Sequence, residues 1–454
     1  MTKTSNTKPV VRFAPSPTGL FHIGSARTAL FNYLFARHNR GRFQIRIEDT
    51  DKERSEAKYE KEIFDSLAWL GLEFDNQDKV VRQSERTTIY RGYLEKMIAD
   101  GTAYISKEAP KEGGRAEVIR FRNPGEKITF NDEIRGEITF DTAELKDFVI
   151  AKSLDEPIFH LAVVVDDFEM GVTHVIRGED HISNTPRQIL IQRAIGAPQP
   201  IYAHIPLILA PDKSKLSKRK HGESVSLSYF KNAGYLPEAM LNFLALLGWG
   251  ADATKEIFTK SELIEKFALE KVNKGGAIFN LEKLNWLNKE YLKLEIRKPD
   301  FEPTTYLPTE ILEGKSPAQI KLIFETIFER IQVWDDIKKM LTSGEINYLK
   351  SDPKYDGEKL IWKGSDATRT AQNLEQILGL IRPIDESDFA DKDRLRTAVW
   401  DYAEKTGRGA VLWPMRFGLT GLDKSPDPFS VAAMIGKTAT VRRLEEAVRI
   451  LSLK

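Results

Sequence analysis

The chain has 454 residues, 41% of them hydrophobic, a formal net charge of +1, no cysteine and seven histidines. That length supplies several packed cores, about three domains by the usual scaling, and excludes a peptide-sized binding module. No segment approaches the ~18 consecutive apolar residues that span a bilayer, the opening MTKTSNTKPVV lacks a signal peptide's apolar run, and neither disulfides nor clustered zinc ligands are available, so a soluble, cytoplasmic, zinc-free protein is expected.

In chain order, the short apolar run from Val10 to Pro15 is broken by SPTG, which predicts a strand and then a loop. A helix is predicted from Ser25 to Asn39, because Ala29, Leu30, Tyr33, Leu34 and Phe35 recur at helical spacing and Gly41 follows as a stop signal. RFQIRIED alternates as a second strand, and a second helix is predicted from Ala57 to Leu70. Strand, helix, strand, helix implies a parallel sheet whose ligands sit beyond the carboxyl ends of its strands, where both SPTG and EDTD fall. From about Gly101 to Ile158 short alternating runs such as GEITFDT suggest an inserted subdomain. The runs HLAVVVDD, THVIRGEDH and AHIPLIL are then read as strands that resume and close the sheet, the last leading into DKSKLSKRKH. From Tyr229 onward the period is helical, and Pro299 to Ser316 is the best linker candidate.

Two short motifs carry chemistry. In SPTGLFHIGS, His22 and Gly24 stand at the predicted start of the first helix, where free backbone N–H groups and the positive dipole end suit a phosphate. Gly24 would let a flat adenine lie on bare backbone, and His22 could donate hydrogen bonds to phosphate oxygens; an ordinary loop histidine is the bland alternative. In the second motif, five lysines or arginines fall within the eight residues from Lys213 to Lys220. Such a run is either a solvated loop or an anion site, and with little net charge a polyanion must be met by local basic surface of this kind. Both motifs are expected at one edge of one sheet, which would make a clamp for a triphosphate.

RFAPSPTGLFHIGSARTALFNYLFARH, RIEDTD, VVVDDFEMGVTHVIRGEDH, HIPLIL with KLSKR, LPEAMLNFLALLGWG, FNLEKLNWLNKEY and WPMRFGLTGLDKSP resemble bacterial-type glutamyl-tRNA synthetases, class I aminoacyl-tRNA synthetases, in order and spacing. The resemblance implies an α/β, Rossmann-type parallel-sheet catalytic domain with an inserted α+β acceptor-binding subdomain, followed by an all-helical anticodon-binding region. It divides the chain into residues 1–104 and 159–224 as the two catalytic halves, 105–158 as the insertion, 225–305 as a stem-contact helical domain and 306–454 as the anticodon-binding region. HIGS is the counterpart of the family's HIGH signature and KLSKR of KMSKS, so ATP would be held by Ser16, His22, Gly24, Lys215, Ser217, Lys218 and Arg219, with His22, Lys215 and Lys218 catalytic. Arg12, Ala14, Ser16, Glu48, Phe159 and Arg177 would line the glutamate pocket. Guanidinium groups suit a side-chain carboxylate, and Glu48 suits the substrate ammonium.

The implied partners are L-glutamate, ATP with Mg²⁺ and tRNA-Glu, with tRNA-Gln as a second acceptor in a non-discriminating enzyme; a monomer is favoured and no membrane is involved. Two departures stand out: Phe159 replaces a tyrosine usual in relatives, and Ile105-Ser106 follows GTAY where many relatives carry a zinc-holding cysteine cluster. The long helical tail argues against a short glutamyl-queuosine enzyme. A non-catalytic tRNA-binding paralogue is disfavoured because His22 and Lys218 are both present.

Overall fold

The computed structural model describes residues 8–51, 53–108, 117–216, 222–250 and 254–453. They form two compact units, one ending at Tyr291 and the other beginning at Leu292.

In the first unit β1 (Val10–Phe13), α1 (Ile23–His38), β2 (Arg42–Ile47), α2 (Ala57–Trp69) and β3 (Val81–Arg82) make a parallel sheet of order β1-β2-β3 with crossover helices. All four residues of β1 and five of the six in β2 are buried, as a sheet covered on both faces requires. α3 (Thr87–Ala99) leads into the inserted strands β4 (Ala103–Lys107), β5 (Glu117–Phe121), β6 (Lys127–Asp132), β7 (Gly136–Asp141), β8 (Phe148–Ser153) and β9 (Glu156–Pro157). Four of these form a sheet of order β4-β5-β8-β9, while the β6–β7 hairpin leaves it. α4 (Phe159–Glu169), β10 (His174–Gly178), α5 (Thr185–Ile195) and β11 (Ile201–Ile205) follow, and β10, β11 and β6 run parallel, so the hairpin extends the second half of the nucleotide-binding sheet. The Thr173 N–H donates to the Val10 carbonyl at 2.9 Å, which sets the start of β10 beside β1.

HLAVVVDD is a helix, not the strand expected from its sequence. Leu161 to Asp167 are all buried, because α4 packs in one core with Leu94, Ile119, Phe121, Phe148, Ile150, Val175, Ile189 and Tyr202. A short apolar run hidden on every side has no polar face to reveal its period, and three successive valines bias the reading toward a strand.

β12 (Ile208–Leu209) pairs in parallel with β13 (Ala277–Ile278), α6 (Leu227–Asn232), α7 (Pro237–Leu246) and α8 (Lys260–Lys266) belong to the same unit, and the division at Tyr291 falls within α9 (Leu281–Glu295). The second unit is helical, its longest members being Ala367–Ile381, Lys392–Thr406 and Lys437–Ser452. The stretch from Pro299 to Ser316 is not a free linker: Leu307 and Ile311 are buried, and the Tyr306 ring stacks on Trp334 at 3.9 Å within the second unit. Proline and glycine content suggested a linker, whereas the aromatic side chains decide the packing.

Asp166 and Asp167, at the end of α4, bind the sheet from beneath. Asp167 accepts from Arg12 at 3.0 Å and from Arg46 at 2.5 Å, and Asp166 accepts from Arg86 at 2.6 Å, Tyr90 at 2.8 Å and Gln83 at 3.0 Å. Arg46 is fully buried and also meets Glu48 at 2.9 Å. Removing one partner of a buried pair leaves an uncompensated charge at a cost of about 3–5 kcal/mol. Asp167→Ala is therefore expected to lower stability by about that much. A urea titration followed by circular dichroism that gives the parent midpoint would contradict it.

Candidate active site

The carboxyl ends of β1, β2 and β10 open on a cavity of about 450 Å³. Every candidate site residue that the structure describes lines it: Arg12, Ala14 and Ser16 beside β1, His22 and Gly24 at α1, Glu48 after β2, then Phe159, Arg177 and Lys215. Ser217, Lys218 and Arg219 lie outside the described residues.

His22 is the N-cap of α1, and its Nδ1 accepts the Ser25 N–H at 3.2 Å. An acceptor at Nδ1 places the proton of a neutral ring on Nε2. Burial, reinforced by the nearby Lys215 charge, pulls the His22 pKa below its ordinary value, so at pH 7 the ring is a neutral donor at Nε2. No acidic side chain occupies the first turn of α1, which leaves its dipole free for an anion. Gly24 has a reason that the sequence concealed: a Cβ there would stand 3.0 Å from Cε1 and 3.1 Å from Nδ1 of His22.

The lysine motif leaves β12 through a tight turn in which the Ala210 N–H bonds the Ser214 carbonyl and Lys213 takes a φ of 63°. Lys215 then reaches Asp180 at 3.0 Å. Beyond the motif, Ser226 bridges to His22, and the Leu227 N–H donates to the Phe21 carbonyl at 2.8 Å. The segment that follows the lysine motif is thus fastened to the start of α1.

The charges at the other end of the cavity are unequal. Arg12 is occupied by Asp167, through bonds of 3.0 and 3.3 Å. Arg177 has no carboxylate partner among the described residues; its Nε donates to His204 Nε2 at 3.1 Å and its Nη2 to Thr185 Oγ1 at 2.9 Å. Burial pushes its pKa down to about 10, so it remains charged and uncompensated. Burial, with Arg177 as the next cause, also lowers His181 to about 4, leaving that pocket imidazole neutral. Glu48 is pulled above the usual carboxylate range by burial, although Arg46 opposes this. Phe159 stands over His181 with ring centroids 5.8 Å apart.

Sequence reasoning missed Arg27, Arg46, Asp167, Thr185 and His204. Arg27 is buried and donates to the carbonyls of Leu247, at 2.9 Å, and Pro206, fastening the strand-end loop that roofs the cavity. Most carry no local signal, since their partners lie far away in the chain; the exceptions are Thr185, eight residues from Arg177, and the contact of Arg46 with Glu48, two residues on. Among the described residues no three histidine or acidic side chains gather as metal ligands. The donor set therefore fits a magnesium ion that arrives on nucleotide phosphates better than one caged by protein.

Gly24→Ala should push the His22 ring from its cap while leaving the fold intact. Displacing a catalytic group by about 1 Å costs on the order of a hundredfold in rate. Nucleotide-dependent pyrophosphate exchange is expected to fall by about that factor. A parent-like rate in a variant that melts normally would remove Gly24 from this role.

Comparison with known proteins places this arrangement. Residues 8–113 and 106–286 match the family described as tRNA synthetases class I (E and Q), catalytic domain, and residues 289–448 match an anticodon binding domain. The chain is 37% identical to the glutamate–tRNA ligase of Desulforamulus reducens, over 97% of this chain and 99% of that one. It is 39% identical to that of Thermodesulfovibrio yellowstonii, over 96% and 99% respectively. The crystal structure of a glutamate tRNA ligase from Elizabethkingia meningosepticum in complex with its amino acid superposes with a TM-score of 0.84 at 32% identity, covering 98% of this chain and 99% of that one. The chain belongs to the glutamate–tRNA ligase family of class I aminoacyl-tRNA synthetases.

Proposed function

We propose that this enzyme joins L-glutamate to tRNA-Glu through a glutamyl-adenylate, giving glutamyl-tRNA, AMP and pyrophosphate. The observation that carries the reading is Arg177, a buried and unpaired cation facing the same cavity as a phosphate-compatible helix start. An oxygen of the glutamate α-carboxylate attacks the α-phosphorus of ATP, and the bond from that phosphorus to pyrophosphate breaks. The terminal ribose 2′-OH of tRNA then attacks the acyl carbon, releasing AMP and a proton. No protein nucleophile is required; the work is positioning and stabilisation of phosphate charge.

His22 would donate from Nε2 to a phosphate oxygen, and Ser16 and the Gly24 backbone would receive the nucleotide. Lys215 and the KLSKR residues Ser217, Lys218 and Arg219 would supply cationic charge as pyrophosphate leaves. Magnesium, when bound on the triphosphate, adds charge neutralisation. Arg177 would take the substrate's side-chain carboxylate and Glu48 its ammonium. Residues 105–158 would receive the acceptor end, 225–305 the stem and 306–454 the anticodon, with the enzyme acting as a cytoplasmic monomer.

Glutamine would leave Arg177 facing a neutral amide, and losing a charge-assisted pair in a dry pocket costs on the order of 2–5 kcal/mol. Discrimination against glutamine should therefore be at least about thirtyfold. Arg177→Ala is expected to raise the KM for glutamate strongly, and Phe159→Tyr to lower it or leave it unchanged, in steady-state aminoacylation of tRNA-Glu assayed beside tRNA-Gln. An ordinary KM in Arg177→Ala would mean that the amino-acid pocket lies elsewhere.

A second expectation concerns pH. Because burial raises the Glu48 pKa, its carboxylate is lost at a higher pH than an ordinary one, so ammonium binding weakens as pH falls. The KM for glutamate should climb toward acid in the parent and stay flat in Glu48→Gln. Identical profiles for the two proteins would exclude Glu48 as the ammonium partner.

A further inference from the structure

Behind Arg177 lies a buried chain of hydrogen bonds that does not reach the cavity. Asp132 ends β6, in the hairpin that joins the second half of the sheet, and His204 lies on the neighbouring β11; both are at most 1% exposed. Asp132 Oδ2 stands 2.6 Å from His204 Nδ1, and Oδ1 accepts the N–H groups of Ile134 at 3.0 Å and Arg135 at 2.8 Å. The His204 N–H also points at this carboxylate, 3.0 Å from Oδ2. The acid is therefore fixed by backbone donors and presents its free lone pair to the imidazole.

The tautomer follows from the acceptors. A carboxylate at Nδ1 holds the ring proton there, so Nε2 carries a lone pair, and Arg177 Nε donates to it at 3.1 Å. Thr185 Oγ1 takes a second guanidinium donor at 2.9 Å and stands 3.2 Å from the His181 carbonyl, to which its own proton can go. Tyr202 supports the guanidinium with its ring, 5.6 Å away, and lies within 11° of parallel to the His204 ring. Two edges of Arg177 are fixed in this way.

We propose that Asp132 and His204 are positioning residues for amino-acid selection: Asp132 sets the His204 tautomer, and His204 aims the Arg177 guanidinium at the substrate's side-chain carboxylate. The inference rests on Arg177 being the glutamate-recognising cation. Asp132→Asn would present an amide N–H₂ to Nδ1, shift the ring proton to Nε2 and set donor against donor at Arg177. His204→Leu would remove the acceptor, whereas His204→Gln restores an acceptor oxygen near the place of Nε2.

The test is steady-state aminoacylation of tRNA-Glu by the full-length protein, with glutamate and ATP varied separately, in parent, Asp132→Asn, His204→Leu, His204→Gln and Arg177→Ala. Asp132→Asn and His204→Leu are expected to raise the KM for glutamate roughly tenfold to a hundredfold and to lower the glutamate-over-glutamine preference, with kcat and the KM for ATP within about twofold. His204→Gln should recover most of the loss. If Arg177→Ala raises the glutamate KM while Asp132→Asn and His204→Leu do not, the positioning role is wrong. If both variants lose kcat and both KM values together with a lowered melting temperature, and His204→Gln rescues nothing, the pair is structural and the proposal also fails. An unaffected Arg177→Ala would instead bring down the pocket assignment on which it rests.

Discussion

The first unit depends on one buried ionic cluster. Asp166 and Asp167 leave the end of α4 and are met by Arg12 from β1, Arg46 from β2 and Arg86 before α3, with Glu48 sharing Arg46. Three carboxylates thus face three guanidinium groups in a region that water barely reaches. Isolated burial of any one of these charges is prohibitive, so the strands and helix that carry them must assemble in one register. The same bonds hold the carboxyl ends of β1 and β2 at a fixed depth, and those ends are the floor of the cavity.

Because that cluster is neutral within itself, it sharpens what lies beside it. Arg12 lines the cavity, yet its charge is already answered by Asp167. Among the described residues Arg177 is hydrogen-bonded by a histidine nitrogen and a hydroxyl and faces the Tyr202 ring, contacts that orient it without neutralising it. A buried cation in that state is a cost to the folded protein, and an anionic ligand relieves it. On the proposed reading, selection for a carboxylate needs no rigid shape match: Arg177 offers a positive charge without a carboxylate partner among the described residues, and a neutral amide leaves it unanswered. A tyrosine hydroxyl can bond either group, so Phe159 concentrates the choice on charge.

Much of this was legible in the sequence because it is local. The break at SPTG, the helix after it, the strand before EDTD and the helical period of the C-terminal region all follow from neighbouring residues, and of the two motifs His22, Gly24 and Lys215 come to one cavity. The fully buried helix α4 was not legible, since a segment packed on every side has no amphipathic signature. Nor were Asp132, Asp167, His204 and Arg46, whose defining ion pairs, Arg12–Asp167, Arg46–Asp167 and Asp132–His204, join residues 155, 121 and 72 positions apart. Arg12 was correctly brought to the cavity, but its engagement with Asp167 could be seen only in three dimensions.

The two ends of the cavity are built by different means, and the difference suits their tasks. The end proposed for the amino acid holds buried guanidinium groups on strands, Arg12 and Arg177, each fixed by two side-chain bonds, so small displacements are costly. The end proposed for the phosphates is made of loops fastened by backbone contacts: the His22–Ser226 bridge, the Leu227 to Phe21 bond and the turn from Ala210 to Ser214. Its one cationic contact on a described residue, Lys215 with Asp180, is half exposed on both sides. Such a pair contributes little to stability and exchanges readily with solvent or a phosphate. Selecting an amino acid needs a charge that stays in place, whereas admitting a triphosphate and releasing pyrophosphate needs one that can change partners.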